Sequence, residues 1–175
     1  MTKMSMIAAV DAGWAIGYKN DVLIRIPEDR VFFRKHTVGN IIIVGRRTLE
    51  SFPGGLPLKD RTNIVITSNK DYYVPQAVVV HSITEAAIKA IQISEEMSAD
   101  IYVAGGEQIY RQMEQYCTDA YITYIYHKFE HSDAFFPELT RQRGWVLKEY
   151  SDLKCYEDII YEYRHYVKET RYEIS

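Results

Sequence analysis

Apolar residues in this chain fall into short runs, and the stretches between those runs carry helical spacing. Six β-rich runs stand out, at residues 6–10, 41–44, 63–67, 77–80, 101–104 and 120–126. Between them, residues 27–36, 47–52, 84–97 and 107–115 read as helices, and Ser82-Ile83-Thr84-Glu85 supplies capping residues for the third. Strands separated by helices predict a largely parallel sheet covered on both faces. After Pro137 the pattern changes. Residues 146–150 and 159–167 read as two strands joined by a loop at 152–156, with Ile159, Tyr161, Tyr163, His165 and Val167 on one face of the second. His165 therefore reads as a strand residue rather than a ligand. The expected fold is α/β, a central mixed, mostly parallel sheet of about eight strands with an antiparallel C-terminal edge hairpin and helices on both faces. Residues 12–26 show no clear period, and a long loop inside a compact domain is often functional.

Composition narrows the function classes. With 175 residues, 47% of them hydrophobic, the chain has enough core for one domain over residues 1–175. A net charge of −3 gives no nucleic-acid or acidic-membrane surface. The apolar opening stops at Asp11, too short for a signal or membrane-spanning segment. Cys117 and Cys155 fit no metal spacing and read as free thiols, which points to a cytoplasmic protein and to no metal site.

The first chemical signal is Asp29, in Ile26-Pro27-Glu28-Asp29-Arg30-Val31-Phe32-Phe33. Pro27 suits the first helical position, where its missing N–H would be unpaired anyway. Asp29 then lies three and four residues before Phe32 and Phe33, so the acid points where the phenyl rings point. An inward carboxylate without a partner costs several kcal/mol, and a helix N-terminus returns only about 0.3–1 kcal/mol. A ligand with amino or ring N–H donors would supply the rest. Taken alone, Asp29 also fits a solvated first-turn acid like Glu28.

Two strand-to-helix junctions have anion-site chemistry. In Val44-Gly45-Arg46-Arg47-Thr48-Leu49-Glu50-Ser51 a buried strand ends at a glycine before two arginines and a threonine. In Ala104-Gly105-Gly106-Glu107-Gln108-Ile109-Tyr110 paired glycines allow a ligand close to the backbone. Thr67-Ser68-Asn69 ends a third strand with hydroxyl and amide donors. Each is weak alone, but ligands bind at the carboxyl ends of strands in open α/β sheets, and all three lie there. The G-x-G-x-x-G fingerprint is absent, which argues against the usual Rossmann dinucleotide site.

In order, these residues resemble the dihydrofolate reductase family, bacterial type. The ordered set is Ile7-Ala8-Ala9, Ala15-Ile16-Gly17 with Asn20, Pro27-Glu28-Asp29 with Phe33, and Gly45-Arg46-Arg47-Thr48. It continues with Leu56-Pro57, Arg61-Thr62-Asn63, Gly105-Gly106-Glu107-Gln108-Ile109-Tyr110, Tyr121-Ile122-Thr123 and Asp133-Ala134-Phe135-Phe136-Pro137. The resemblance implies NADPH-dependent reduction of 7,8-dihydrofolate to tetrahydrofolate, with hydride arriving at pterin C6 and a proton at N5. It implies antifolate binding and a monomer.

By position, Asp29 would hold the pterin 2-amino group and ring nitrogen and raise the proton affinity of N5. Thr123 would bond to Asp29, and these two would be the catalytic pair. Ile7, Phe33, Arg34, Arg61 and Tyr110 would complete the substrate set, with Arg61 pairing the α-carboxylate of the glutamate tail. Ala9, Ile16, Gly17 and Asn20 would line the nicotinamide half of the cofactor site. Gly45, Arg46, Arg47 and Thr48 would take the phosphates, and Thr67, Ser68 and Asn69 the 2′-phosphate side. Gly105, Gly106, Glu107, Gln108 and Ile109 would form the close approach, with a cis peptide between the glycines. A 2′-phosphate carries roughly −1.5 to −2 charge by analogy with phosphoserine, so two arginines should favour NADPH over NADH.

Two positions depart from the family pattern. Ile24 stands where the family usually has Trp in its mobile loop, and Leu56 falls where a basic residue often meets the folate tail. The segment 52–60 also looks longer than in many members. A riboflavin-pathway reductase of the same fold is the nearest alternative, although it needs neither Asp29 nor Arg61. A catalytically silent NADPH- and folate-binding protein is another, which cofactor binding without turnover would reveal.

Overall fold

Consecutive apolar residues can all be buried only where both faces of a strand are covered. Ile41, Ile42, Ile43 and Val44 meet that condition, each with no exposed surface. A computed structural model describes residues 2–169. In chain order its strands and α-helices are β1 (Met4–Val10), β2 (Ala15–Tyr18), β3 (Asp21–Val22), α1 (Pro27–Thr37), β4 (Ile41–Gly45) and α2 (Arg46–Glu50). Then follow β5 (Thr62–Ile66), β6 (Ala77–Val80), α3 (Ile83–Met97), β7 (Ile101–Val103) and α4 (Glu107–Met113). The last are β8 (Asp119–Ile125), β9 (Ala134–Phe135), β10 (Trp145–Tyr150), β11 (Lys154–Tyr156) and β12 (Ile159–Lys168).

The main sheet runs β10-β12-β8-β1-β7-β4-β5-β6, with β11 also paired to β12. The strands from β8 to β6 are mutually parallel, whereas β12 is antiparallel to β8 and to both β10 and β11. The mixed, mostly parallel sheet expected from the sequence is therefore present. Side chains sort by the two-residue period of a strand. Ile41 and Ile43 join the large cluster that includes Ala86, Ala87 and Ala90 of α3 and Met113 of α4. Ile42 faces the other way, with Ile7 and Tyr102, against Phe32 and Phe33 of α1. Ser82 caps α3, its hydroxyl accepting the Glu85 N–H at 3.1 Å, as the sequence predicts.

Two segments differ from expectation. The stretch expected to be an unpatterned loop contains β2 and β3, which form a small antiparallel sheet with β9. The buried Asp11 carboxylate organises it, accepting N–H groups from Gly13 at 2.8 Å, Ala15 at 2.9 Å and Phe129 at 3.0 Å. In the C-terminal hairpin, part of the expected loop is strand β11, because ten-residue β12 outreaches β10. β10 pairs with residues 164–168 of β12, and β11 with residues 159–161. β12 thus lies inside the sheet, between β10 and β8. His165 sits on it as a packed strand residue, 2.6 Å from Asp119 and stacked on Tyr121.

Candidate active site

Pro27 starts α1 at its first position, and no side chain caps the helix. Asp29 in this first turn meets β8. Thr123, 1% exposed, donates its hydroxyl to Asp29 Oδ1 at 2.5 Å. Burial pushes the Asp29 carboxyl above the usual carboxylate value, against the opposing pull of the Thr123 hydrogen bond. The sheet register sets Thr123 beside Ala9 on β1 and Tyr163 on β12.

The other expected substrate residues come from several elements. Ile7 is buried on β1, and its carbonyl accepts the Tyr110 hydroxyl of α4 at 2.7 Å. Burial raises the Tyr110 phenol far above its ordinary value, so it remains a donor. Phe33 packs in the apolar cluster of Ile7. Its carbonyl accepts the Thr37 hydroxyl, and Thr37 Oγ1 in turn accepts Arg61 Nε at 3.0 Å. The Arg61 guanidinium lies 5.9 Å from the Phe33 ring centroid. Burial and then the neighbouring Arg34 charge lower its proton affinity. Two cations this close favour an anion beside them.

The two glycine junctions are adjacent. Gly45 N–H donates to the Gly105 carbonyl at 2.8 Å, and Asn20 Nδ2 reaches the Arg47 carbonyl at 3.2 Å. Asn20 joins the rest of its loop to α2 from a left-handed φ of 60°. The Gly105–Gly106 peptide is cis. A Cβ would fall 3.2 Å from Ile109 at Gly45 and 3.3 Å from Thr48 Oγ1 at Gly106, so the two junctions pack against α4 and α2 too closely for a side chain at either position. Neither α2 nor α4 has a side-chain cap. Arg46 lies 3.7 Å from Glu50 and flanks Tyr72, while Arg47 is exposed. Thr67 receives Asn69 N–H at 3.1 Å, and its carbonyl meets His81 Nδ1 at 2.8 Å; Ser68 and Asn69 are exposed. Glu107 accepts Phe135 N–H at 2.6 Å and pairs with Arg111 at 3.5 Å, tying α4 to β9. Gln108 is exposed, and Ile16 and Ile109 pack against the large core.

Sequence reasoning missed Phe52, Leu58 and Ala104, which join the Ile7–Phe33 cluster. The signal present was only apolar residues around the Pro53-Gly54-Gly55 turn for Phe52 and Leu58, and a small residue before Gly105-Gly106 for Ala104. It also missed the phenols of β12 around α1. Phe32 lies flat on Tyr163, with centroids 4.0 Å apart and planes at 9°, and the Tyr161 hydroxyl donates to Glu28 at 3.0 Å. Ile24 packs with Ile26, Ile125 and Tyr161.

Gly105 combines a φ of +109° with a Cβ position only 3.1 to 3.3 Å from the Tyr110 ring and hydroxyl. Gly105→Ala should therefore destabilise the protein by about 1–3 kcal/mol, from left-handed strain and displaced Tyr110. Urea unfolding measures this, and an unchanged midpoint would refute it.

A model of the dihydrofolate reductase family matches residues 3–169. The dihydrofolate reductase of Bacillus subtilis strain 168 is 36% identical over 166 residues, covering 91% of this chain and 94% of its own. That of Neisseria gonorrhoeae is 37% identical over 168 residues, covering 95% and 99%. Among solved structures, dihydrofolate reductase from Enterococcus faecalis complexed with NADP(H) and RAB-propyl superimposes with a TM-score of 0.84. It is 28% identical and covers 96% of this chain and 97% of its own.

Proposed function

The chain belongs to the dihydrofolate reductase family, and from that premise we propose which residues carry its NADPH-dependent reduction of 7,8-dihydrofolate to 5,6,7,8-tetrahydrofolate. The observation that carries the reading is the Asp29–Thr123 pair, a raised carboxyl held by a buried hydroxyl one helical turn from Phe33 of the Ile7 cluster. Asp29 holds the pterin 2-amino group and ring nitrogen, whose N–H donors satisfy the carboxylate that burial disfavours. Its charge raises the proton affinity of N5, which takes a proton as C6 takes hydride. Thr123 fixes the Asp29 rotamer and shares the pterin amino group. Ile7, Phe33 and Tyr110 hold the ring in place and keep water from it, and Arg61 with Arg34 meets the glutamate tail.

The cofactor supplies the hydride. The residues present fit it, because the Gly45–Gly105 hydrogen bond brings together two helix starts that have no side-chain cap, one of them carrying Arg46 and Arg47. Ala9, Ile16, Gly17 and Asn20 orient the nicotinamide end. Gly45, Arg46, Arg47 and Thr48 take the phosphates, and Thr67, Ser68 and Asn69 take the 2′-phosphate end. Gly105, Gly106, Glu107, Gln108 and Ile109 frame the approach. We take residues 1–175 as one monomeric domain acting in the cytoplasm; two free cysteines, Cys117 buried and Cys155 exposed, support a reducing compartment. Among the described residues no helix is long and apolar enough to cross a membrane.

The experiment that tests the site is the pH dependence of hydride transfer in wild type beside Asp29→Asn. A smaller effect follows at Leu56, which is 53% exposed. Leu56→Arg should tighten dihydrofolate binding about two- to fivefold, the range of an exposed ion pair, and the gain should fade in high salt. Titration of the variant by fluorescence decides it, and unchanged affinity would remove Leu56 from the tail site.

A further inference from the structure

The turn between β1 and β2 holds a tryptophan in a backbone conformation that suits small or polar residues. Among the described residues, seven positions other than glycine have a positive φ, and Trp14, at 61°, is the only apolar one. Left-handed backbone disfavours any residue with a Cβ, bulky ones most, so the surroundings must impose it. Main-chain bonds do part of this. Trp14 N–H donates to the Asp11 carbonyl at 2.9 Å, and the Trp14 carbonyl accepts the Phe136 N–H at 2.8 Å. Rings do the rest. Trp14 stacks on Phe136, with centroids 6.2 Å apart, and meets Tyr124 of β8 at 6.1 Å and Tyr166 of β12 at 6.0 Å in edge contacts. Arg164 holds those two tyrosines, lying 3.8 Å from the Tyr124 ring centroid and donating to the Tyr166 hydroxyl at 3.1 Å. Nothing in the reaction as described above uses Trp14.

We propose that Trp14 is a positioning residue for the nicotinamide end of the cofactor, its indole pinning β2 to the main sheet. The inference rests on the reading that Ile16 and Gly17 orient that end. β2 pairs only with β3 and β9, so no strand pairing joins it to the main sheet. The indole makes the join one residue before β2 begins. Ala15, which follows it, is 1% exposed, and Ile16 packs against the large core. With residue 14 fixed in φ and seated on β8 and β12, Ile16 and Gly17 leave the turn in one direction. Phe136 extends the pin, because its ring also meets Tyr110 of α4, with centroids 4.6 Å apart. Without the indole, β2 samples positions in which Ile16 and Gly17 miss the nicotinamide, and the measured affinity falls with the competent fraction.

Calorimetric titration of the whole protein with two ligands separates positioning from packing. NADPH carries the nicotinamide, whereas adenosine 2′,5′-bisphosphate carries the 2′-phosphate end without it. Trp14→Leu keeps an apolar side chain and loses the ring; Trp14→Gly loses the ring and the backbone strain together. Both should weaken NADPH about tenfold, as for a competent fraction of about a tenth, and leave the bisphosphate affinity unchanged. Trp14→Phe should stay within about twofold of wild type, because a ring still packs on Phe136 and Tyr124. Tyr124→Leu leaves residue 14 in place and removes one wall of its seat. It should weaken NADPH alone by about threefold, and it tests the pin even where a Trp14 variant does not fold. Wild-type NADPH affinity in both Trp14→Leu and Trp14→Gly, with only a lower melting temperature, would make Trp14 structural and overturn the proposal. Equal losses for the two ligands would overturn it as well. Wild-type NADPH affinity in Ile16→Ala would instead remove the reading beneath it, so the two failures are distinguishable.

Discussion

Asp29→Asn lowers hydride transfer to dihydrofolate by about 10²- to 10⁴-fold near neutral pH, the range of a lost acid–base contribution, and raises the melting temperature. The two changes share one cause. Thr123 donates to the carboxylate, but burial dominates and lifts the Asp29 carboxyl above its usual 3.8. Between the unfolded and folded pKa values, the folded protein binds more protons than the unfolded chain. Stability is then fully present below the unfolded value and is lost as pH rises through the folded one. Asparagine still accepts from Thr123 and carries no charge, so it removes that loss. The stability difference between variant and wild type should widen from acid to neutral pH. Stopped-flow hydride transfer and thermal unfolding across that range check both halves. A variant that kept its rate, or melted lower at neutral pH, would contradict this account. NADPH affinity should stay unchanged, since no proposed cofactor contact involves Asp29.

Arg61→Ala raises KM for dihydrofolate by about thirty- to several hundredfold and leaves kcat nearly intact. Thr37 Oγ1 accepts Nε, which fixes the guanidinium plane and leaves the two terminal nitrogens for a carboxylate. Partial burial and then the flanking Arg34 charge make this cation costly, and the Asp60 carboxylate offsets only part of that. Removing one partner of such a pair costs about 2–4 kcal/mol, which sets the quoted range. The tail is remote from C6 and N5, so ground and transition states lose the contact equally, and KM carries the change. A pterin substrate without the glutamate tail should show no difference between wild type and variant. Arg61→Lys should recover only part of the affinity, because a point charge cannot hold Thr37 and both carboxylate oxygens together. A fall in kcat with unchanged KM would place Arg61 elsewhere in the mechanism.

What the sequence reveals here depends on how local the cause is. The central strands are legible because burial on both faces demands unbroken apolar runs such as Ile41–Val44. The inward turn of Asp29 is legible because Pro27 fixes the helix start and the phenylalanines mark its face. By contrast, β2, β3 and β9 are two to four residues long, too short to show a period. Asp11 also reaches 118 residues ahead to the Phe129 N–H. The Tyr161–Glu28 bond joins residues 133 apart, and neither side chain alone suggests the other. Phe52 and Leu58 read as ordinary loop apolars until the fold brings them to Ile7.

The hydrogen bond from Gly45 to Gly105 joins the two glycine junctions through main-chain atoms only. An alanine scan therefore cannot delete it. Replacements at either glycine report crowding against Ile109 or Tyr110, and the bond itself goes unsampled. Sequence drift can recolour the side chains around both junctions while their separation stays constant. Replacing the Gly45 amide by an ester through chemical synthesis is the perturbation that would expose what this one contact contributes.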